Sequence, residues 1–143
     1  MTETINWLVG DSRTIKHTFT KEEIQAFAIL TGDVNPIHVD SAFAELTPAG
    51  GQVVHGMLAA SFVSTLIGMH LPGPGALWNS FQVNWRQMIR IGDTLQFKAE
   101  VVAVQAGTQT LDLKIQGIHV GNNKVYIDAT ARVLLMTQKK KRI

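Results

Sequence analysis

The chain has 143 residues, 45% of them hydrophobic, which is the size and greasiness of one domain with a buried core. Thirteen Lys and Arg stand against eleven Asp and Glu, but Lys139, Lys140, Lys141 and Arg142 form a terminal run. The basic pI of about 9.1 therefore comes from a terminal run, expected to be a solvated end and not a nucleic-acid footprint, and the absence of cysteine excludes disulfides and thiolate metal sites.

Residues Met1 to Asp11 lack the basic start and apolar run of a signal peptide, and a cytosolic setting fits. Residues 1–11 and 137–143 are expected to be mobile ends of a single domain. The first strand is expected at Arg13 to Phe19. Thr20 then stands three residues before Glu23, the spacing of a capping box, in which each side chain satisfies a free backbone donor at a helix start. Ile24, Phe27 and Ala28, with Leu30 a further candidate, share a face of the helix that follows, which should stop near Gly32.

Pro36 lacks an amide hydrogen and disfavours helical geometry at Asn35, so Asp33 to His38 must form a loop. Asp40 can cap a brief helix through Leu46, and Thr47 to Gln52, with Pro48, Gly50 and Gly51, reads as a connection. Gly56 to about Leu71 is apolar nearly all round, as in a helix surrounded by protein. Its longest apolar stretch, Met57 to Met69, is thirteen residues and too short for a bilayer, which needs about 20.

Beyond Pro72, Gly73, Pro74 and Gly75 the pattern changes to period two, the mark of strands with one buried face. Phe81, Val83 and Trp85 alternate with polar residues, as do Leu95, Phe97, Ala99 and Val101. Leu111, Leu113 and Ile115 follow, then Val125, Ile127, Ala129, Ala131 and Val133. Turns at Ile91 to Asp93, Ala106 to Thr108 and Gly121 to Asn123 imply four strands in a consecutive antiparallel meander. Only the helix from Gly56 is greasy enough to cover such a sheet. The fold class is α+β, a curved antiparallel sheet wrapped around a central apolar helix, known as the hot-dog fold.

In the loop, Asp33 and His38 are five residues apart, and a carboxylate and an imidazole on one rigid turn can hold a water between them, one taking its proton and the other giving one. The same spacing also suits an aspartate that caps a turn beside a histidine with no chemical task. The run Thr31, Gly32, Asp33, Val34, Asn35, Pro36, Ile37, His38, followed by Asp40 and Ala42, closely resembles the signature of the MaoC-like or hydratase 2 family, the (R)-specific enoyl-CoA hydratases. Val54, His55, Gly56, Met57 and Leu58 resemble a second block of that family, just ahead of the central helix. The likeness runs from Phe19 to about Leu135.

The resemblance implies that Asp33 and His38 are the catalytic pair and that the Gly56 backbone N–H faces the thioester carbonyl oxygen. A helix start favours negative charge there, and glycine permits close approach. It further implies supporting roles for Asn35, which could orient Asp33 or hold the loop, and for Ser64, whose alternative is a bond to its own helix. His55 is expected to shape the helix entry. Met57, Leu58, Phe62, Leu71, Trp78 and Phe81 are candidates for the acyl pocket, though each also suits plain core.

The implied activity is reversible addition of water to a trans-2-enoyl-CoA, giving an (R)-3-hydroxyacyl-CoA. The implied partners are the acyl-CoA (or acyl-ACP) thioester and a second copy of the chain, in a homodimer with joined sheets. His38, His55, Asp33 and Asp40 match no recognised zinc or iron spacing, and no Gly-rich phosphate loop follows a strand, so neither metal nor cofactor is expected. The rivals are a 3-hydroxyacyl-ACP dehydratase, a thioesterase on the same fold, and a non-catalytic acyl-CoA binding protein. Ala49, Gly50, Gly51 and Gln52 are more glycine-rich than the family pattern at that place, which bears on loop shape beside the site.

Overall fold

The structure is a computed structural model, and residues 5–137 are described. In chain order it has strand β1 (Ser12–Thr18), helices α1 (Lys21–Thr31), α2 (Pro36–Val39), α3 (Ser41–Glu45) and α4 (Gly56–Met69), then strands β2 (Ala76–Trp85), β3 (Thr94–Gln105), β4 (Thr110–His119) and β5 (Val125–Leu135). The five strands form one antiparallel sheet in the order β1-β3-β4-β5-β2.

The period-two residues fall where their spacing predicts. Leu95, Phe97, Ala99 and Val101 on β3, Leu111, Leu113 and Ile115 on β4, and Ile127, Ala129, Ala131 and Val133 on β5 are all buried. They form one continuous core with Leu58, Ala59, Val63, Leu66 and Ile67 of α4, each large side chain contributing roughly 1.5–3 kcal/mol by leaving water. Gly117 on β4 fits this packing, since a Cβ there would come within 3.2 Å of the Phe97 ring, a tight contact.

Three expectations are corrected. The meander holds only from β3 to β5. Between β2 and β3 there is no hairpin, because β2 pairs with β5 at the far edge and the link of residues 86–93 crosses to the entry of α4. There Ile89 is buried and its carbonyl accepts the Val54 N–H at 2.8 Å, while Arg90 bridges to Val53. Second, α4 is not covered all round: Met57, Ser61, Ser64, Thr65 and Met69 are exposed along one side. Third, the expected mobile start is docked from Ile5 onward. Ile5 is buried, Trp7 packs on the core beneath the Arg13 guanidinium, and the Gly10 N–H donates to the Val101 carbonyl. Residues 1–4 and 138–143, the rest of the expected mobile ends, lie outside the described residues.

Candidate active site

Helix α1 begins with the expected capping box, Thr20 and Glu23 bonding each other's backbone, and ends at Gly32. Gly32 has φ +77°, a left-handed conformation that costs glycine least, and it turns the chain out of the helix. The segment beyond it is more ordered than a loop. The Asp33 carboxylate accepts the Asn35 N–H at 3.2 Å, and the Asn35 side chain accepts the Ile37 N–H at 3.3 Å. Asn35 thus caps the one-turn helix α2 with Pro36 in its first turn, where a missing N–H costs nothing. Of the two roles weighed for Asn35, its side chain takes the backbone one.

Asp33 is exposed and His38 half-buried. A carboxylate oxygen of Asp33 and one ring nitrogen each of His38 and His55 all lie within 4.8 Å of one another. His38 Nδ1 sits 2.6 Å from the Val53 carbonyl oxygen, which can only accept, so Nδ1–H is the donor of that bond and Nε2 is the ring nitrogen not engaged by it. His55 is 98% removed from solvent, and its Nε2–H donates to the Asp33 backbone carbonyl at 3.0 Å. Its ring also stacks on His38, with centroids 4.0 Å apart and planes at 28°.

His55 therefore does more than shape the helix entry: it touches both members of the pair. Replacing it by Phe keeps the stack and removes the bond to Asp33. We expect kcat to fall roughly tenfold while KM changes little, as for a lost orienting contact. Steady-state kinetics with a thermal melt to check folding would test this; an unchanged kcat would confine His55 to the fold.

Other supporting contacts come from far along the chain. Gln52 donates from Nε2 to the His38 carbonyl at 2.7 Å, and the Val53 N–H donates to the Ile37 carbonyl at 3.2 Å. Arg90 reaches the Ala49 and Gly51 carbonyls, tying down the glycine-rich connection. Neither Gln52 nor Arg90 has a local sequence signal that marks it for this task.

Gly56 opens α4. The first helical bond there runs from the Ala59 N–H to the His55 carbonyl, and His55 gives no side-chain cap, so the Gly56, Met57 and Leu58 amides are not drawn into the helix. They form the positive end of the helix dipole. The space beside Gly56 is filled by the Trp85 indole, so its lack of a side chain serves packing against this chain's own tryptophan.

Two cavities adjoin this helix start. One, of about 380 Å³, is lined by His38, Gly56, Trp85 and the link of residues 86–89. Arg86 on its rim is held by Asp128 at 2.6 Å, and that bond, helped by Asn84, keeps the Asp128 carboxyl below its ordinary value. The other, of about 370 Å³ and almost wholly apolar, is lined by Met57, Ser64, Trp78 and Phe81 together with Phe27 and Ser61. Of the expected acyl-pocket residues, Met57, Trp78 and Phe81 are at this cavity. Leu58 and Leu71 are not: both are buried in the core. Phe62 is half-buried against His17 and the core and is also absent from the cavity wall. Ser64 lines the apolar cavity and not the one that His38 lines.

A MaoC-like domain model matches residues 9–123, and the chain belongs to that family. The (R)-hydratase structure from A. caviae superposes with a TM-score of 0.86 at 32% identity, covering 91% of this chain and 98% of the other, so the architecture is the hot-dog fold. An (R)-specific enoyl-CoA hydratase of Rhodospirillum rubrum is 32% identical over 88% of this chain and 86% of its own length. A 3-hydroxybutyryl-CoA dehydratase of Methylorubrum extorquens is 41% identical over 65% of this chain, a match that spans 59% of that relative. No helix among the described residues is long and apolar enough to cross a membrane.

Proposed function

We propose that the protein is an (R)-specific enoyl-CoA hydratase, adding water reversibly to a trans-2-enoyl-CoA to give an (R)-3-hydroxyacyl-CoA. The observation that carries this reading is the closeness of the Asp33 carboxylate and the His38 ring, within 4.8 Å. Two groups each about 2.8 Å from a shared oxygen can stand up to roughly 5.6 Å apart, so one water can bond both. The names of the relatives supply the substrate class and the (R) outcome.

In the hydration direction the water oxygen forms a bond to Cβ as the C=C electron pair moves toward Cα and the thioester carbonyl. Asp33 and His38 together take one proton from the water and deliver one to Cα, so the pair ends as it began. Charge that develops on the carbonyl oxygen is met by the Gly56 N–H at the positive end of α4. The apolar cavity by Met57, Trp78 and Phe81 takes the acyl chain, and the coenzyme A arm leaves past the rim near Arg86. Dehydration is the same path in reverse.

The working unit of this reading is a homodimer in the cytosol. Its support is the ten-residue edge strand β2, with Leu77 and Trp85 exposed, and the uncovered side of α4 beside the cavity. A long open edge next to apolar surface is a site for pairing with another sheet. Sedimentation would return twice the chain mass, and a monomer at assay concentration would remove the dimer from the account.

The test of the activity is loss of enoyl absorbance when crotonyl-CoA is added, with chiral analysis of the product. Hydration to the (R) alcohol supports the proposal. Binding without turnover would leave an acyl-CoA binding protein, and turnover of crotonyl-ACP in preference to crotonyl-CoA would make the protein an acyl-carrier dehydratase.

A further inference from the structure

The residue that crowds Gly56 has a bearing on catalysis. Trp85, the last residue of β2, donates its indole Nε1–H to the Gly56 carbonyl at 2.9 Å. Its ring also lies close against the glycine: a Cβ at position 56 would meet Cε2 at 3.0 Å and Nε1 at 3.1 Å. A Cβ there would need the indole to give by a few tenths of an ångström. Since the N-cap residue His55 makes no side-chain bond to the helix start, the indole is a lateral hold on this first turn of α4. Trp85, Gly56 and His38 line one cavity.

We propose that Trp85 is a positioning residue for the reaction, setting the angle of the first turn of α4 so that its free amides meet the thioester oxygen. This rests on the reading of Gly56 as the donor to that oxygen. The indole contributes in a second way. The carbonyl it binds belongs to the same peptide group as the Met57 N–H, and a carbonyl that accepts a bond polarises its own amide into a stronger donor. Met57 N–H is one of the amides outside the helical ladder. The start of α4 thus offers two donors to a developing oxyanion: Gly56, placed by the ring, and Met57, strengthened by the indole N–H.

The substitution that isolates this is Trp85→Phe, which keeps an aromatic ring beside Gly56 and deletes the donor. Trp85 is 41% exposed, so the exchange leaves the core in place, and circular dichroism confirms it. In the otherwise native protein, kcat for crotonyl-CoA should fall roughly tenfold with KM changed less than about threefold, as when an interaction made only in the transition state is weakened. A direct readout comes from 2,4-hexadienoyl-CoA, whose near-ultraviolet band moves to the red when its carbonyl is polarised. Bound to Asp33→Asn, which turns over slowly enough for the spectrum to be recorded first, it should show a red shift that shrinks by about half in Asp33→Asn/Trp85→Phe with the dissociation constant nearly unchanged. Trp85→Leu, lacking both ring and donor, should shrink the shift at least as far. Equal shifts with and without the indole, or an unchanged kcat, overturn the proposal. No red shift even with Trp85 present would instead overturn the reading of Gly56 on which it rests.

Discussion

Asp33→Asn is expected to lower kcat for crotonyl-CoA hydration by roughly 10²–10⁴-fold, the range for a positioned acid/base group, and to leave the melting temperature nearly unchanged. The separation of the two effects follows from the geometry. Asp33 is exposed and outside the core, and its side-chain bond, accepted from the Asn35 N–H, can be accepted as well by an amide oxygen. The carbonyl held by His55 is backbone and survives the exchange. What the amide cannot do is take a proton from water or hold one for Cα. Steady-state kinetics beside a thermal melt would show it; a folded variant with full activity would remove Asp33 from the chemistry.

Phe97→Ala is the largest expected effect on stability, about 3–5 kcal/mol. Phe97 is fully buried on β3, with Phe62 of α4 at 6.4 Å between ring centroids and Gly117 of β4 giving up its side chain to make room. The ring therefore fills the gap between sheet and helix, and its loss leaves a hole bounded by two rigid layers that cannot close together. Domains of this kind have only about 5–15 kcal/mol in all, so the variant should unfold at markedly lower urea. A loss under about 1 kcal/mol would mean that the sheet and α4 can collapse onto the space, contrary to the packing described.

What the sequence revealed of this fold and what it concealed divide along physical lines. The inner faces of β3, β4 and β5 were readable because a half-buried strand writes its burial directly into alternate residues, and the turns at 106–108 and 121–123 are short enough to force neighbours together. The place of β2 was not. Its own alternation says that it is a strand, but only the pairing of β2 with β5, which joins segments about fifty residues apart, and the crossing of residues 86–93 over the helix entry say where it sits. Leu58 and Leu71 illustrate a similar limit: apolar residues on and after α4 look alike in the chain, and only the packed helix distinguishes those turned to the sheet from Met57, turned to the cavity.

The site shows the same division. Asp33 and His38 stand out because a proline forces the turn that carries them and they are only five positions apart. The groups that hold them do not: His55 reaches Asp33 across 22 positions, and Arg90 reaches the connection at Gly51 across 39. His55 was visible as a residue beside Gly56, but nothing in its spacing shows a ring stacked on His38. The same holds for Trp85, whose alternation along β2 gives no hint that its indole closes over the glycine.

The central claim is that Asp33 and His38 act on one water, and a double-mutant cycle tests it most directly. Asp33→Asn, His38→Gln and the double variant would be compared by kcat/KM for crotonyl-CoA hydration. If the two groups share one water, each single change already disables it, and the double variant should be about as slow as the slower single one. Losses that multiply, so that the double variant falls by the product of the two single effects, would show that the residues act independently and would contradict the shared-water account.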